Sequence, residues 1–106
     1  MSVPEISTDE LADRLDGPIT LIDVRQPDEY RNGHVPGARL VPLDTVPDEL
    51  EALRDLGPLT IICQAGGRSM RAAEYLVANG VDATNVAGGT GAWLQAGRPV
   101  NIGDEP

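Results

Sequence analysis

Two short runs of aliphatic and β-branched residues constrain the fold of this chain more than any other feature. Ile19 to Val24 reads ITLIDV, and Leu59 to Ile62 reads LTII. Nearly continuous runs of this kind are typical of strands buried on both faces, which occur mainly in parallel sheets. Helix-forming stretches separate the strand candidates, and parallel strands need crossover connections of that length. We therefore predict an α/β fold with a mostly parallel central sheet and helices on both faces.

Weaker signals supply the remaining elements. Three further strand candidates bring the sheet to five strands: Val3–Ile6, Arg39–Leu43 and Asn85–Ala87. Capping residues, apolar spacing and terminal glycines predict helices from Ser7 or Thr8 to Gly17, over Pro27–Arg31, from Thr45 to Gly57, over Ser69–Asn79 and over Gly91–Ala96. A chain of 106 residues fits one domain, 1–106, and we expect its last six residues to form a loose tail.

Composition excludes several classes of function. The formal net charge of −9 argues against nucleic-acid or anionic-membrane partners, since both bind basic surfaces. One cysteine and one histidine exclude an internal disulfide and make a zinc site of protein ligands improbable, so no metal is expected. The first residues lack the apolar segment of a secretory signal, and no segment is long enough to span a bilayer. A cytoplasmic location is predicted, where the thiol would stay reduced.

The only cysteine, Cys63, lies where the second buried strand ends and a helix begins. Free amides and the positive end of a helix dipole stabilise a thiolate at such a position, so Cys63 is the predicted nucleophile. The same amides would hold an anion that the sulfur attacks or carries. The residues assigned to substrate binding are Gln64, Ala65, Gly66, Gly67, Arg68 and Ser69.

Individual residues of this segment, the cysteine loop (residues 63–69), have distinct expected tasks. Gly66, and to a lesser extent Gly67, would allow the tight backbone turn. Ser69 is the expected N-cap of the following helix. Arg68 is expected to make a bidentate contact with an oxyanion, and Arg71, one turn along, to add to the positive field. A core cysteine would explain neither the glycines nor Arg68, and the loop lacks the ending of a nucleotide-binding phosphate loop.

Three ordered motifs resemble the rhodanese (sulfurtransferase) family, in particular its single-domain members. They are LIDVRQPDEYRNGHVPGA (Leu21 to Ala38), CQAGGRS in the cysteine loop, and VAGGTGAW (Val86 to Trp93). The resemblance implies a rhodanese-like three-layer domain and thiosulfate sulfurtransferase chemistry through a Cys63 persulfide. It further implies a small anionic sulfur donor, a thiol or cyanide acceptor, and no cofactor.

Other functions remain open at the level of sequence. Phosphatases on the same fold have five residues between cysteine and arginine, whereas four separate Cys63 from Arg68 here, which favours sulfur over phosphate. The resolving cysteine often used in arsenate reduction is also missing. A regulatory binding module is a further alternative, although inactive rhodanese-like domains commonly lack the cysteine. A sulfur relay to an acceptor protein would use the same residues.

Besides Arg71, four residues outside the loop are expected to support it. Asp23 and Arg25 end the first buried strand, and we expect a structural ion pair or hydrogen bonds to neighbouring loops, because buried charges need partners. His34, between glycine and a Val-Pro-Gly turn, is expected to lock a loop through a hydrogen bond rather than to act as a base. Trp93 is expected to pack in the core rather than to line the substrate site.

Overall fold

Strands and helices alternate along the chain in the computed structural model, which describes residues 2–106. The strands are β1 (Glu5–Ile6), β2 (Leu21–Asp23), β3 (Arg39–Leu40), β4 (Leu59–Ile62) and β5 (Ala83–Val86). The helices are α1 (Thr8–Arg14), α2 (Pro27–Arg31), α3 (Leu50–Asp55), α4 (Gly67–Ala78) and α5 (Gly89–Gln95), with a 3-10 turn at Leu43–Thr45.

The five strands form one sheet in the order β1-β5-β4-β2-β3, and every neighbouring pair is parallel. The strand with the LTII run, β4, lies at the centre, where Ile61 pairs with Ile22 on one side and Asn85 on the other. The prediction of a five-stranded parallel sheet is therefore confirmed. Its central strand delivers Cys63 to the carboxyl edge, where ligands of such sheets bind.

Each face of the sheet is covered by its own helices. Ile61 packs with Leu53 of α3 and Leu76 of α4 in one apolar cluster. The next residue, Ile62, points to the opposite face and packs with Leu11 of α1 and Trp93 of α5. This alternation follows from the two-residue period of a strand. It explains why the strand is apolar throughout.

The prediction of a helix from Thr45 to Gly57 is wrong for the first half of that segment. A 3-10 turn and a short irregular stretch precede α3, which begins only at Leu50. The amide of Val46 bonds to Leu43 and that of Leu50 to Pro47, three residues back, instead of four. Pro47 has no amide proton to donate, so this stretch lacks a regular α-helical ladder.

The end of the chain, expected to be loose, makes specific contacts in the structure. Asn101 exchanges two backbone hydrogen bonds with His34, at 2.9 and 3.0 Å. Arg31 accepts a bond from the Gly103 amide at 2.9 Å and pairs through its side chain with Asp104 at 2.6 Å. Backbone hydrogen bonds therefore hold this segment to the residues at and just after the end of α2. The polar composition of the segment could not predict these contacts.

Candidate active site

The sulfur of Cys63 is held by hydrogen-bond donors at the start of α4. Its side chain is buried, with 1% of its surface exposed. The Sγ atom accepts a hydrogen bond from the Gly66 amide at 3.1 Å and from the Ser69 hydroxyl at 3.2 Å. Burial raises the pKa of Cys63, but hydrogen bonds from the hydroxyl and amide of Ser69 and the amides of Gly66 and Ala65 outweigh it and lower the pKa. The site therefore favours a thiolate.

Helix α4 begins two residues earlier than predicted, and this changes the role of Ser69. The N-cap is Gly66, whose φ of +110° is accessible to glycine, and Gly67 is already helical. Ser69 is thus the third helical residue rather than the N-cap, and its hydroxyl points back to Cys63. The amides of Gly67 and Arg68 lie in the first helical turn, where no carbonyl one turn earlier can accept them. They remain available to an anion at the sulfur.

A second segment, the glycine loop (residues 87–91), is hydrogen-bonded to the backbone of the cysteine loop. The Thr90 amide donates to the Cys63 carbonyl and the Gly91 amide to the Gln64 carbonyl, both at 2.9 Å. At Gly89 the two backbones approach so closely that a Cβ atom would lie 2.4 Å from the Cys63 carbonyl oxygen. The glycine loop therefore makes a tight strand-to-helix turn beside the cysteine loop, and it anchors two carbonyls of that loop.

Asn85, in β5, is a supporting residue that the sequence analysis missed. It is buried, and its amide nitrogen donates to the Gly66 carbonyl at 3.3 Å and to the Glu5 carboxylate at 2.8 Å. The sequence did contain a signal for this role, because Asn85 places a carboxamide in a strand candidate. A buried carboxamide needs hydrogen-bond partners. Asn85 thus ties the turn of the cysteine loop to the sheet.

Asp23 and Arg25 form the predicted buried ion pair. The Arg25 Nε and Nη2 atoms donate to the Asp23 carboxylate at 3.0 and 2.9 Å, and both side chains are almost wholly buried. Arg25 also donates to the Gly33 carbonyl at 2.9 Å and to the Gln64 side-chain oxygen at 3.1 Å. The pair therefore connects the end of β2 to the cysteine loop.

Arg68 has a different partner from the oxyanion expected for it. Its two terminal nitrogens bond to the two oxygens of Glu29 at 2.7 and 2.9 Å. Hydrogen bonding by Arg68 lowers the pKa of Glu29 to about 2, against the opposing effect of burial. The guanidinium that was expected to bind an oxyanion is thus paired with Glu29 of α2, which lies against the start of α4.

His34 and Trp93 do not contact the cysteine loop through their polar atoms. The His34 ring nitrogens lie 2.8 Å from the Tyr30 carbonyl oxygen and 2.7 Å from that of Glu105, and the ring stacks on Tyr30. Trp93 is buried in the core, and its Nε1 donates to the Pro99 carbonyl at 2.8 Å. Both residues thus have the packing and loop-locking contacts expected of them.

Two general features complete the description of residues 2–106. Within this range no three His, Cys, Asp or Glu side chains come together as metal ligands. None of the helices described there is long and apolar enough to cross a membrane.

Fold and site together define an α/β protein that presents one cysteine, with a lowered pKa, at the start of a helix. The chain belongs to the rhodanese-like domain family, a sulfurtransferase family, whose match covers residues 7–96. It is 35% identical over 103 residues to YtwF of Bacillus subtilis, covering 95% of this chain and 100% of that protein. It is 32% identical over 101 residues to a sulfurtransferase of Allochromatium vinosum, covering 92% and 94% of the two chains.

A solved structure supports the same assignment. The crystal structure of a rhodanese-like domain protein from Staphylococcus aureus superposes with a TM-score of 0.84 at 41% sequence identity. The match covers 94% of this chain and 98% of the other. The rhodanese-like fold expected from the three motifs is therefore confirmed.

Proposed function

We propose that this protein transfers a sulfane sulfur from thiosulfate or a persulfide donor to a thiol or cyanide, through a persulfide on Cys63. One observation carries the proposal: the only cysteine accepts hydrogen bonds from an amide and a hydroxyl at the start of α4. This arrangement lowers the pKa of Cys63 and so favours the thiolate, which is the nucleophilic form.

In the first half-reaction the Cys63 thiolate attacks the outer sulfur of thiosulfate. A new sulfur–sulfur bond forms, the old one breaks, and sulfite leaves with the electron pair. The outer sulfur of the resulting persulfide carries the negative charge. The first-turn amides of Gly67 and Arg68 can donate to this charge and stabilise it, as amides stabilise an oxyanion.

In the second half-reaction a thiolate or cyanide attacks the outer sulfur and releases the Cys63 thiolate. The two substrates react in turn at one sulfur, so the kinetics are ping-pong. The proposed chemistry uses no cofactor and takes place in the cytoplasm. An acceptor protein whose own thiol receives the sulfur is a further partner that the same chemistry accommodates.

The proposal is tested by mass spectrometry of the protein after incubation with thiosulfate, and separately with an organic persulfide. We expect a mass increase of one sulfur atom that disappears when cyanide or a thiol is added. The variant Cys63→Ser should show no increase, whereas Ser7→Ala, at a distant helix cap, should behave like the wild type. Absence of an adduct with either donor, or hydrolysis of an aryl phosphate instead, would overturn the proposal.

A further inference from the structure

Arg68 carries the only charged side chain of the cysteine loop. Its guanidinium binds both carboxylate oxygens of Glu29, at 2.7 and 2.9 Å. The hydrogen bond to Glu29 raises the pKa of Arg68, and the negative charges of Glu29 and Cys63 add to this effect. Arg68 is therefore close enough to the sulfur for the two charges to interact, although its hydrogen bonds go to another partner.

The carboxylate of Glu29 is fixed in place by more than Arg68. Its Oε1 atom also accepts a hydrogen bond from the Gln26 amide at 3.1 Å, as part of the capping box of α2. Hydrogen bonding by Arg68 lowers the pKa of Glu29 to about 2, so this carboxylate is ionised at neutral pH. Glu29 thus competes with any anionic substrate for the guanidinium.

The remaining arginines near the loop supply little further positive charge to the sulfur. Arg25, which donates to the Gln64 side chain, is paired with the buried carboxylate of Asp23. Arg71 was expected to add to the positive field. It is exposed one turn beyond Arg68 and lines a groove between α4 and the segment 43–47. The two arginines that contact the cysteine loop or belong to it are therefore both neutralised by carboxylates.

This balance of charge puts a doubly charged donor at a disadvantage. Thiosulfate brings two negative charges to a thiolate, and the repulsion raises the barrier where no free cation offsets it. Cys63 is only 1% exposed, so water screens the repulsion less than it does at a protein surface. A persulfide with an uncharged organic group brings at most one negative charge. The site therefore distinguishes donors by their charge.

We propose that Glu29 is a specificity-determining residue, which neutralises Arg68 and so favours sulfur donors that carry less negative charge than thiosulfate. This inference rests on the proposed function and names the class of its donor, a persulfide whose leaving group is less charged than sulfite. Glu29 acts through Arg68 and not on the reacting sulfur itself.

The chemical step with such a donor balances without a further reactant. The Cys63 thiolate attacks the outer sulfur of the persulfide, and a sulfur–sulfur bond forms to Cys63. The sulfur–sulfur bond of the donor breaks, and the donor leaves as a thiolate with the electron pair. A proton on the outer sulfur stays with that sulfur.

The test compares two donors that differ in one group, thiosulfate and methanethiosulfonate. A methyl group replaces one oxygen in the second donor, so it has one negative charge instead of two. We measure kcat/KM for each donor with cyanide as acceptor, since in ping-pong kinetics this constant reports the first half-reaction alone. Glu29→Gln should raise the ratio of thiosulfate to methanethiosulfonate about tenfold, because Arg68 becomes free for a partly exposed charge-assisted contact with the dianion.

Charge-matched variants separate this role from a structural one. The glutamine in Glu29→Gln keeps the size of the side chain and an oxygen for the Gln26 amide. Arg68→Ala leaves Glu29 uncompensated and should lower the ratio, whereas Glu29→Gln combined with Arg68→Ala should return it to the wild-type value. A loss of structure would lower both constants together and would not give this order.

Glu10→Gln is the matched control for a change in total charge. It removes one negative charge from an ion pair with the same N–O distance, 2.7 Å, to Arg14 within α1. The ratio in this variant should stay at the wild-type value.

Three results would count against the inference. A wild-type ratio in Glu29→Gln overturns the role of Glu29 and leaves the proposed sulfur transfer intact, as does a change in Arg71→Ala without one in Glu29→Gln. Arg68→Ala gives an independent reading if Glu29→Gln does not fold, and an unchanged ratio there also overturns the inference. If no donor places a sulfur on Cys63 of the wild type, the proposed function and this inference both fail.

Discussion

Replacing Gly89 with alanine tests how the glycine loop fixes the geometry around Cys63. Gly89 has a φ of +57°, and a Cβ atom there would lie 2.4 Å from the Cys63 carbonyl oxygen and 2.7 Å from that of Gln64. Both contacts are to backbone, so relief requires the two loops to move apart. That movement would weaken the hydrogen bonds that the amides of Thr90 and Gly91 donate to the same carbonyls.

The size of the effect follows from two separate costs. A left-handed backbone costs alanine about 1–2 kcal/mol, and forcing a methyl group into filled space costs about 1–3 kcal/mol more. Gly97 supplies a matched control, because its φ is +74° and a Cβ there would meet no heavy atom within 4 Å. Gly97→Ala therefore carries only the first cost. The difference between the two variants in free energy of unfolding isolates the close approach, at about 1–3 kcal/mol.

Urea unfolding measures the stability difference, and the thiolate absorbance as a function of pH measures the pKa of Cys63. We expect Gly89→Ala to be the less stable variant and to raise the pKa of Cys63, because displaced amides no longer stabilise the thiolate. Gly97→Ala should keep the wild-type pKa. Equal losses of stability and equal Cys63 pKa values in both variants would refute the claim that this contact sets the amide geometry.

Three further variants test the site and its supports. Ser69→Ala should raise the pKa of Cys63 and shift the activity profile to higher pH, because it removes a hydrogen bond to the thiolate. Asp23→Asn should reduce the free energy of unfolding by about 3–5 kcal/mol in urea, because Arg25 would remain buried without its partner. Glu29→Gln should lower stability most above pH 4.5, and the difference should vanish as pH falls through about 2, the folded-state pKa.

Exposed positions in α1 provide the controls for these variants. Ser7→Ala removes a helix cap from the Glu10 amide, so it should lower stability by about 1 kcal/mol and leave the pKa of Cys63 unchanged. Glu10→Gln breaks an exposed pair with Arg14 and should have little effect on stability. An upward shift of the Cys63 pKa in Ser7→Ala, or a wild-type pKa in Ser69→Ala, would contradict the assignment of Ser69 as a thiolate donor.

Local signals explain which elements could be predicted from the sequence. Pro27–Arg31 and Leu59–Ile62 have their predicted bounds, since a proline start and a continuous aliphatic run are decided within a few residues. Of the two candidates for the start of α1, Ser7 and Thr8, Ser7 is the N-cap, and a cap can be predicted because it depends only on its own first turn. The proposal of Cys63 as the nucleophile rests on a signal of the same kind, because a cysteine between a buried strand and a helix is a local pattern.

Contacts between distant segments explain what could not be predicted. The residue types in the cysteine loop indicated an anion site. They could not show that Arg68 would form an ion pair with Glu29, which lies 39 residues earlier in the chain. The start of α4 was misplaced because Ser69 is a good N-cap by type, whereas the left-handed turn at Gly66 begins the helix first. Asn85 was missed because its partner, the Gly66 carbonyl, is brought to it only by the sheet.

The orientation of the amides around Cys63 follows from where the carbonyls of the same loop are anchored. A trans peptide is planar, so its C=O and N–H groups point in opposite directions. Thr90 and Gly91 bind the carbonyls of Cys63 and Gln64 on the outer side of the loop. The amides sharing those peptide groups, at Gln64 and Ala65, must therefore face away from the glycine loop.

The same reasoning applies to the turn at Gly66, whose carbonyl is held by a residue of the sheet. The Asn85 side chain binds the Gly66 carbonyl, so the amide of Gly67 in that peptide group is directed to the other side. Of the amides oriented in this way, that of Ala65 hydrogen-bonds to Cys63 and helps to lower its pKa. The thiolate is thus stabilised by a loop whose carbonyls are held by a neighbouring strand and helix. Substitutions at Gly89 or Asn85 should consequently alter the chemistry of Cys63 without touching its sulfur.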